Sequence, residues 1–240
     1  MSMARVVEPE WLDHLPADDP RAIRSRGDLR RVNRLMSATR LLGEVLDPLI
    51  AGRMHTRIVE LGAGDGSLLL RLARSRANAW PPVRLDLLDM QPIVTPATLA
   101  SYGELGWTAN VVRADVFDWL RDTPTNKESD DVADDAPIIV ANLFLHHFEG
   151  QRLVDLLQGI AARARAFTCI EPRRSALALL GSRLLGVIGC NAVTRHDAVV
   201  SVRAGFVDQD LSQCWPDDAA WELREHAAGL FSHRLIAVHT

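Results

Sequence analysis

Glu60-Leu61-Gly62-Ala63-Gly64-Asp65-Gly66 is the stretch whose reading decides the fold. It stands between an apolar run, Thr56 to Leu61, that reads as a strand, and Ser67 to Arg76, where Leu68, Leu69, Leu72 and Ala73 share one helical face. Glycines at a strand-to-helix junction permit positive φ and let the backbone approach a ligand with no side chain in the way. The helix amino terminus behind them favours a carboxylate or phosphate. A dinucleotide fingerprint needs a third glycine where this chain has Ser67, and a Walker loop needs a Gly-Lys-Ser/Thr that does not follow.

Outward from this loop, short apolar runs alternate with helical periodicity, the pattern of a parallel sheet flanked by helices. Val83 to Leu88, Trp107 to Arg113, Pro137 to Asn142 and Arg165 to Glu171 read as further strands, and Gln151 to Ala164 as the crossover helix before the last of them. Trp221 to Ala227 and Phe231 to His239, joined at Gly229, read as an antiparallel terminal hairpin. The prediction is an α/β, Rossmann-like doubly wound sheet of seven strands, mostly parallel. Residues 1–50 form a helical arm or lid, with Ile23 to Leu49 apolar at three- and four-residue intervals and Asp19-Pro20 as a helix start. Residues 51–240 form the main domain, with a helical cap insertion at about 173–204. Within the cap, Ser175 to Gly189 reads as one apolar helix interrupted by Arg183, and Thr194 with Asp197 as a capping box opening a helix to Ala204. The acidic stretch 121–137 reads as a solvated loop. Removal of residues 1–20, which show no periodicity, is expected to be mild.

At 240 residues, 48% hydrophobic and 24% charged, the chain has the composition of an ordinary globular protein, which excludes disordered and collagenous classes. A net charge of −4 points to no particular partner. Cys169, Cys190 and Cys214 are too far apart for a C-x-x-C pair, so no metal site and no disulfide framework is expected. There is no apolar leader and no stretch long enough to span a bilayer, which predicts a cytoplasmic chain with no membrane span.

The spacing G-x-G-x-G with an acid two residues before it resembles motif I of the class I S-adenosylmethionine (SAM)-dependent methyltransferases. Three further strand ends agree in order: Asp89 after the second strand, Arg113-Ala114-Asp115-Val116 after the third, and Asn142-Leu143-Phe144-Leu145-His146-His147-Phe148 after the fourth. The resemblance covers roughly residues 56 to 240 and implies SAM as cofactor and S-adenosylhomocysteine (SAH) as product. It implies that Gly62, Ala63, Gly64 and Gly66 pack against the methionine and ribose portions and that Glu60 organises the loop. Asp89 would accept from the ribose hydroxyls, Met90 cover the adenine, Asp115 and Val116 read its edge, and Asn142 lie beneath the methionine moiety.

Leu-His-His resembles the small-molecule branch that includes the ubiquinone and menaquinone methyltransferases. The arm and the run from Gly189 to Phe206 resemble bacterial methyltransferases that accompany aromatic polyketide synthases. The implied acceptor is a small aromatic or polyketide-like molecule beneath the apolar cap at 176–190, with O-methylation favoured over C-methylation. His146, then His147, then His196 are the candidate bases for removing an acceptor proton. A nucleic-acid methyltransferase would use the arginines of the arm, Arg21, Arg24, Arg26, Arg30, Arg31, Arg34 and Arg40. Against it, the stripe lacks aromatic residues and the fourth strand lacks the Asn/Asp-Pro-Pro-Tyr/Phe element. A non-catalytic methyltransferase-like binding subunit is the third reading, opposed by the presence of Gly62, Gly64, Gly66, Asp89 and Asp115 together.

Overall fold

The computed structural model describes residues 3–124 and 136–240, so the acidic run from 125 to 135 lies outside the described residues. Three helices come first: α1 (Trp11–His14), α2 (Pro20–Leu35) and α3 (Ala38–Ile50). Strands and helices then alternate as β1 (Thr56–Leu61), α4 (Ser67–Arg76), β2 (Val83–Asp89), α5 (Pro96–Gly103), β3 (Thr108–Arg113), α6 (Val116–Asp122), β4 (Ile138–Asn142), α7 (Gly150–Ala161) and β5 (Ala166–Pro172). Helices α8 (Ala176–Arg183) and α9 (Ala192–Ala204) precede the hairpin of β6 (Trp221–Ala228) and β7 (Ser232–His239). The sheet order is β3-β2-β1-β4-β5-β7-β6, parallel through β5, with β7 antiparallel to both its neighbours. Seven strands, mostly parallel and ending in an antiparallel pair, match the architecture read from the sequence.

The period-two geometry of the strands sorts their apolar residues onto two faces, both covered by helices. Ile58, Leu85, Leu87, Ile138, Val140 and Ile170 pack with Leu42 and Leu46 of α3, Leu69 and Leu72 of α4, and Tyr102 of α5. Val59, Leu61, Ile139, Ala141 and Phe167 face the other way, onto Trp119 and Leu120 of α6 and Leu153, Leu156, Leu157 and Ile160 of α7. Chain order runs outward from β1 to β3 on one side and from β4 to β5 on the other. The carboxyl ends of β1 and β4 therefore flank the point of reversal, where open parallel sheets form a ligand crevice.

Several local readings are corrected. The arm is helical as read, and Ser37, in a left-handed conformation with φ 56°, divides it into α2 and α3. The cap helix ends at Arg183, and Leu184–Gly186 continues as a short 3-10 turn. Thr194 and Asp197 form no capping box. Asn191 caps α9 by accepting from the Thr194 amide at 2.8 Å, and the helix opens at Ala192. Thr194 and Asp197 are instead buried, where their side chains bind other segments. Helix α6, not anticipated, is capped by Asp115, whose carboxylate accepts from the Phe117 amide at 2.7 Å.

Candidate active site

The loop after β1 folds as its glycines demand. Gly62, Gly64 and Gly66 have φ of 64°, 57° and 71°, values that side chains disfavour. They serve different ends. A Cβ on Gly62 would lie 2.5 Å from the Phe144 ring, so this glycine admits the segment after β4. A Cβ on Gly64 would meet nothing within 4 Å, and the residue lines a cleft of about 580 Å³. Gly66 packs toward Leu87 and Thr98, between Asp65 and Ser67, which line the cleft.

That cleft brings together Glu60, Gly62, Ala63, Gly64, Asp89, Met90, Asp115, Val116 and Asn142. Asp89 ties the strand end to the loop: one oxygen accepts from the Gly64 amide and the other from the Gln91 amide, both at 2.8 Å. Met90 is 65% exposed at the rim. Two acceptor oxygens on the wall, Oε2 of Glu60 and Oδ1 of Asn142, are buried without a hydrogen-bond partner. Burial, and then the negative charges of Asp65 and Asp89, raise the Glu60 carboxyl well above the usual range. A buried carboxyl and a buried amide oxygen without donors constitute a site for a cation or for N–H groups.

A second cavity, about 340 Å³, lies between α2, α8 and α9 and meets the first at Leu12, Leu29 and Leu143. Its wall is mostly apolar, including Met36, Leu185, Ile188, Val202 and Phe231, with Glu10 and Asp197 among its polar members. Leu184 of the cap lines it, whereas Leu180 is 54% exposed and does not. Leu143, at the junction, has φ 53°, a strained backbone for a γ-branched residue.

The three histidines separate. His146 is 2% exposed, with Nδ1 2.8 Å from Glu171 and Nε2 3.2 Å from Glu10, and lines neither cavity. Burial opposes its charged form, but hydrogen bonding and attraction from Glu10 and Glu171 outweigh burial and raise its pKa to about 9. The structure thus encloses this first candidate base between two carboxylates and brings it to neither cavity wall. His196 stacks on Trp11, ring centroids 3.8 Å apart, and pairs with Asp197 at 2.8 Å, off both cavity walls. His147 does line the loop cleft. Its Nδ1 lies 2.9 Å from the Phe144 carbonyl, and its buried Nε2 has no hydrogen-bond partner.

Sequence reasoning missed the segment before α2. Arg5 donates to the carbonyls of Ala204 and Phe148, each at 2.8 Å, and lies 4.5 Å over the Phe206 ring. Glu10 reaches His146, and the amides of Trp11 and Leu12 donate to Asp197 at 2.9 and 3.0 Å. The available signal was Val6-Val7 and Trp11-Leu12 on either side of Glu8-Pro9-Glu10, apolar pairs in a segment with no regular period. Glu171 was also missed, although a lone acid ending the apolar run Phe167 to Ile170 marks a buried charge with a task. In the arm, Arg30 pairs with Asp65 of the glycine loop at 2.6 Å and Arg40 with Glu44 at 2.6 Å. Arg21 binds Asp19, Arg24 the Gly189 carbonyl, Arg26 the Ala17 carbonyl and Arg31 Asp28.

No protein-family model matches the chain, and no curated protein matches it in sequence. Among solved structures, the plantazolicin methyltransferase BpumL in complex with SAH matches with a TM-score of 0.60 at 11% identity, covering 93% of this chain and 92% of that one. The same enzyme with a monoazolic desmethylPZN analog and SAH matches with a TM-score of 0.59 at 12% identity, over 92% of this chain and 91% of that one. The chain therefore has the Rossmann-like fold of these methyltransferases. Among the described residues, no helix is long and apolar enough to cross a membrane.

The contacts of Arg5, Glu10 and Trp11 give a prediction opposite to the expectation of a dispensable leader. Deleting residues 1–14 should destabilise the protein by at least about 2 kcal/mol, because Asp197 and Glu171–His146 lose charge-assisted partners while remaining buried. Urea denaturation of the truncated chain measures this, and an unchanged midpoint would show that the segment is not part of the folded unit.

Proposed function

We propose that this protein is a SAM-dependent methyltransferase whose acceptor is a small aromatic or polyketide-like molecule, with a hydroxyl as the preferred methyl acceptor. One observation carries the reading: a glycine-loop cleft with acidic strand ends lies beside a separate, mostly apolar cavity and shares Leu12, Leu29 and Leu143 with it. The residues present fit SAM. Gly64 leaves open the space a side chain would fill, Asp89 offers a carboxylate at the end of β2, and the unpartnered oxygens of Glu60 and Asn142 suit the ammonium of a methionine moiety.

When bound, SAM supplies an activated methyl group on a sulfonium, ready for in-line displacement by a nucleophile. The chain's own residues supply position and dryness. Glu60, Asp89 and Asn142 would orient polar groups of the cofactor, and Asp115 and Val116, on the wall of the same cleft, would meet its adenine. The walls from α2, α8 and α9 exclude water around the acceptor. Arm arginines already bonded within the chain, Arg30 to Asp65 above all, support a closing role for the arm over one in phosphate binding. The small-molecule reading is therefore preferred to the nucleic-acid and non-catalytic alternatives.

Calorimetric titration with SAM and SAH is the direct test. Asp89→Ala should weaken SAH binding by about 1–3 kcal/mol, roughly 5- to 150-fold, since a charged acceptor is lost. Equal affinity in the variant would remove Asp89 from the site, and no binding to the native chain would end the methyltransferase reading.

The raised Glu60 carboxyl yields a pH prediction. With its pKa well above the usual value in the free protein, Glu60 retains its proton at a pH where ordinary carboxylates have lost theirs. An ammonium placed beside it favours the carboxylate, so binding should release a proton, and affinity should increase with pH until the free carboxyl itself ionises. SAH calorimetry in buffers of different ionisation enthalpy reads the released proton, and Glu60→Gln should abolish the release.

For the acceptor side, Ala198→Trp should fill the apolar cavity. SAH affinity should stay within about twofold while methyl transfer to aromatic acceptors is lost, as expected if the two cavities hold different ligands. Turnover equal to the native rate would place the acceptor elsewhere.

A further inference from the structure

Where the two cavities approach each other, Glu10, His146 and His147 bring one ligand atom each within 4.8 Å of one another. Their order along the chain gave no hint of this, since Glu10 is separated from His146 by 136 residues. Three features distinguish the cluster from a chance meeting of polar groups.

The first is ring orientation. Histidines that bind metal through Nε2 almost always donate the Nδ1 proton to a carboxylate or a backbone carbonyl, which fixes the tautomer and aims the other nitrogen. Both rings have such a support: Nδ1 of His146 lies 2.8 Å from Glu171, and Nδ1 of His147 lies 2.9 Å from the Phe144 carbonyl. Both Nε2 atoms then point toward Glu10.

Spacing is the second feature. A tetrahedral ion with bonds of about 2.0–2.2 Å to nitrogen and oxygen holds its ligand atoms about 3.4 Å apart. Nε2 of His146 is 3.2 Å from one oxygen of Glu10, and Nε2 of His147 is 3.7 Å from the other and 3.4 Å from Asp13. Around His147 these separations are longer than good hydrogen bonds, and its Nε2 is buried with no hydrogen-bond partner.

Third is charge and location. Glu10, Asp13 and Glu171 set three carboxylates around two imidazoles. Glu10 lies on the apolar cavity, and Asp13 and His147 lie on the loop cleft, so the cluster reaches both.

We propose that Glu10, His146 and His147 form a binding site for a divalent cation of the zinc class, with Asp13 beside it as a further oxygen donor. Two imidazoles and a carboxylate suit Zn²⁺ and its neighbours in the transition series better than Mg²⁺ or Ca²⁺, which prefer all-oxygen sets. Three protein ligands leave a coordination position for an outside donor. On the methyltransferase reading, on which only this role rests, that donor is an oxygen of the acceptor, held between the two cavities.

The test uses the full chain after treatment with a chelator and its removal, titrated with Zn²⁺ by calorimetry and with Co²⁺ in the visible range. One ion per chain, with the intense d–d bands of a tetrahedral Co²⁺ site, is expected. His147→Ala and Glu10→Gln should each weaken Zn²⁺ binding at least about 10- to 100-fold, the loss already typical when only an outer partner of a ligand is removed. His147 is the safer variant, since it is partly exposed at the cleft and is held by one backbone carbonyl, and its melting curve checks its fold. His55→Ala, an exposed histidine elsewhere, should leave binding unchanged. Absence of stoichiometric binding, or binding that survives both His147→Ala and Glu10→Gln, overturns the site and leaves protons alone to neutralise these carboxylates. SAH binding without Zn²⁺ binding would defeat this inference only. Zn²⁺ binding without SAH binding would defeat the methyltransferase reading and leave the metal site standing.

Discussion

The carboxylate of Glu171 holds together everything that meets at the site. It is fully buried at the end of β5, and its two oxygens receive the amides of Phe144 and Leu145 at 3.0 and 2.9 Å, the amide of His146 at 3.3 Å and the ring of His146 at 2.8 Å. A buried carboxylate is tolerable only when its lone pairs are met in this way, and the donors are equally dependent on it. The chain leaving β4 is thereby fixed in a tight 3-10 turn just after Leu143, itself held at positive φ. Phe144 is delivered against Gly62, and His147 against the cleft.

From that anchor the two sides of the crevice acquire different electrostatics. On the loop side, Asp89 is satisfied by two backbone amides, whereas Glu60 has its Oε2 buried without a donor and carries the penalty of burial beside two other acids. On the arm side, Glu10 is also buried, but the neighbouring imidazoles of His146 and His147 overcome desolvation and hold its carboxyl far below the usual range. One carboxyl thus lies among acids and the other among imidazoles. Environment makes this difference; both residues are glutamates.

How much of this was legible in the sequence depends on the range of each signal. The sheet, the glycine loop and the acids at strand ends are written in periods of two and 3.6 and in backbone needs that act over a few residues, and the strand ends fell within a residue or two of the reading. The leader was not legible, because Arg5 and Glu10 act on residues 199 and 136 positions away and carry no period of their own. Of two adjacent histidines, the sequence could not indicate which is enclosed; the 3-10 turn after β4 turns His146 inward and leaves His147 at the cleft. Thr194 and Asp197 have capping-box spacing, but their buried partners on α2 and the leader outweigh that local preference, and Asn191 takes the cap.

The same partners decide how the apolar cavity is shaped. Asp28 of α2 is 2% exposed and accepts from the Asn191 amide at 2.7 Å and the Thr194 hydroxyl at 3.1 Å, and Ser25 meets Thr194 at 2.8 Å. Drawing α2 away from α9 would strand these groups, and each stranded buried group costs about 1–3 kcal/mol. Arm and cap are therefore bonded across a polar seam at their base while presenting apolar side chains to the space between them. An arm held only by apolar contacts could slide to admit acceptors of many shapes. A seam with directional bonds fixes the separation of the walls that carry residues such as Leu29, Ile188 and Phe231. The leader, which lines the same cavity at Glu10 and Leu12, extends that seam through the amides of Trp11 and Leu12 on Asp197, so three segments and not two are held in register around the cavity.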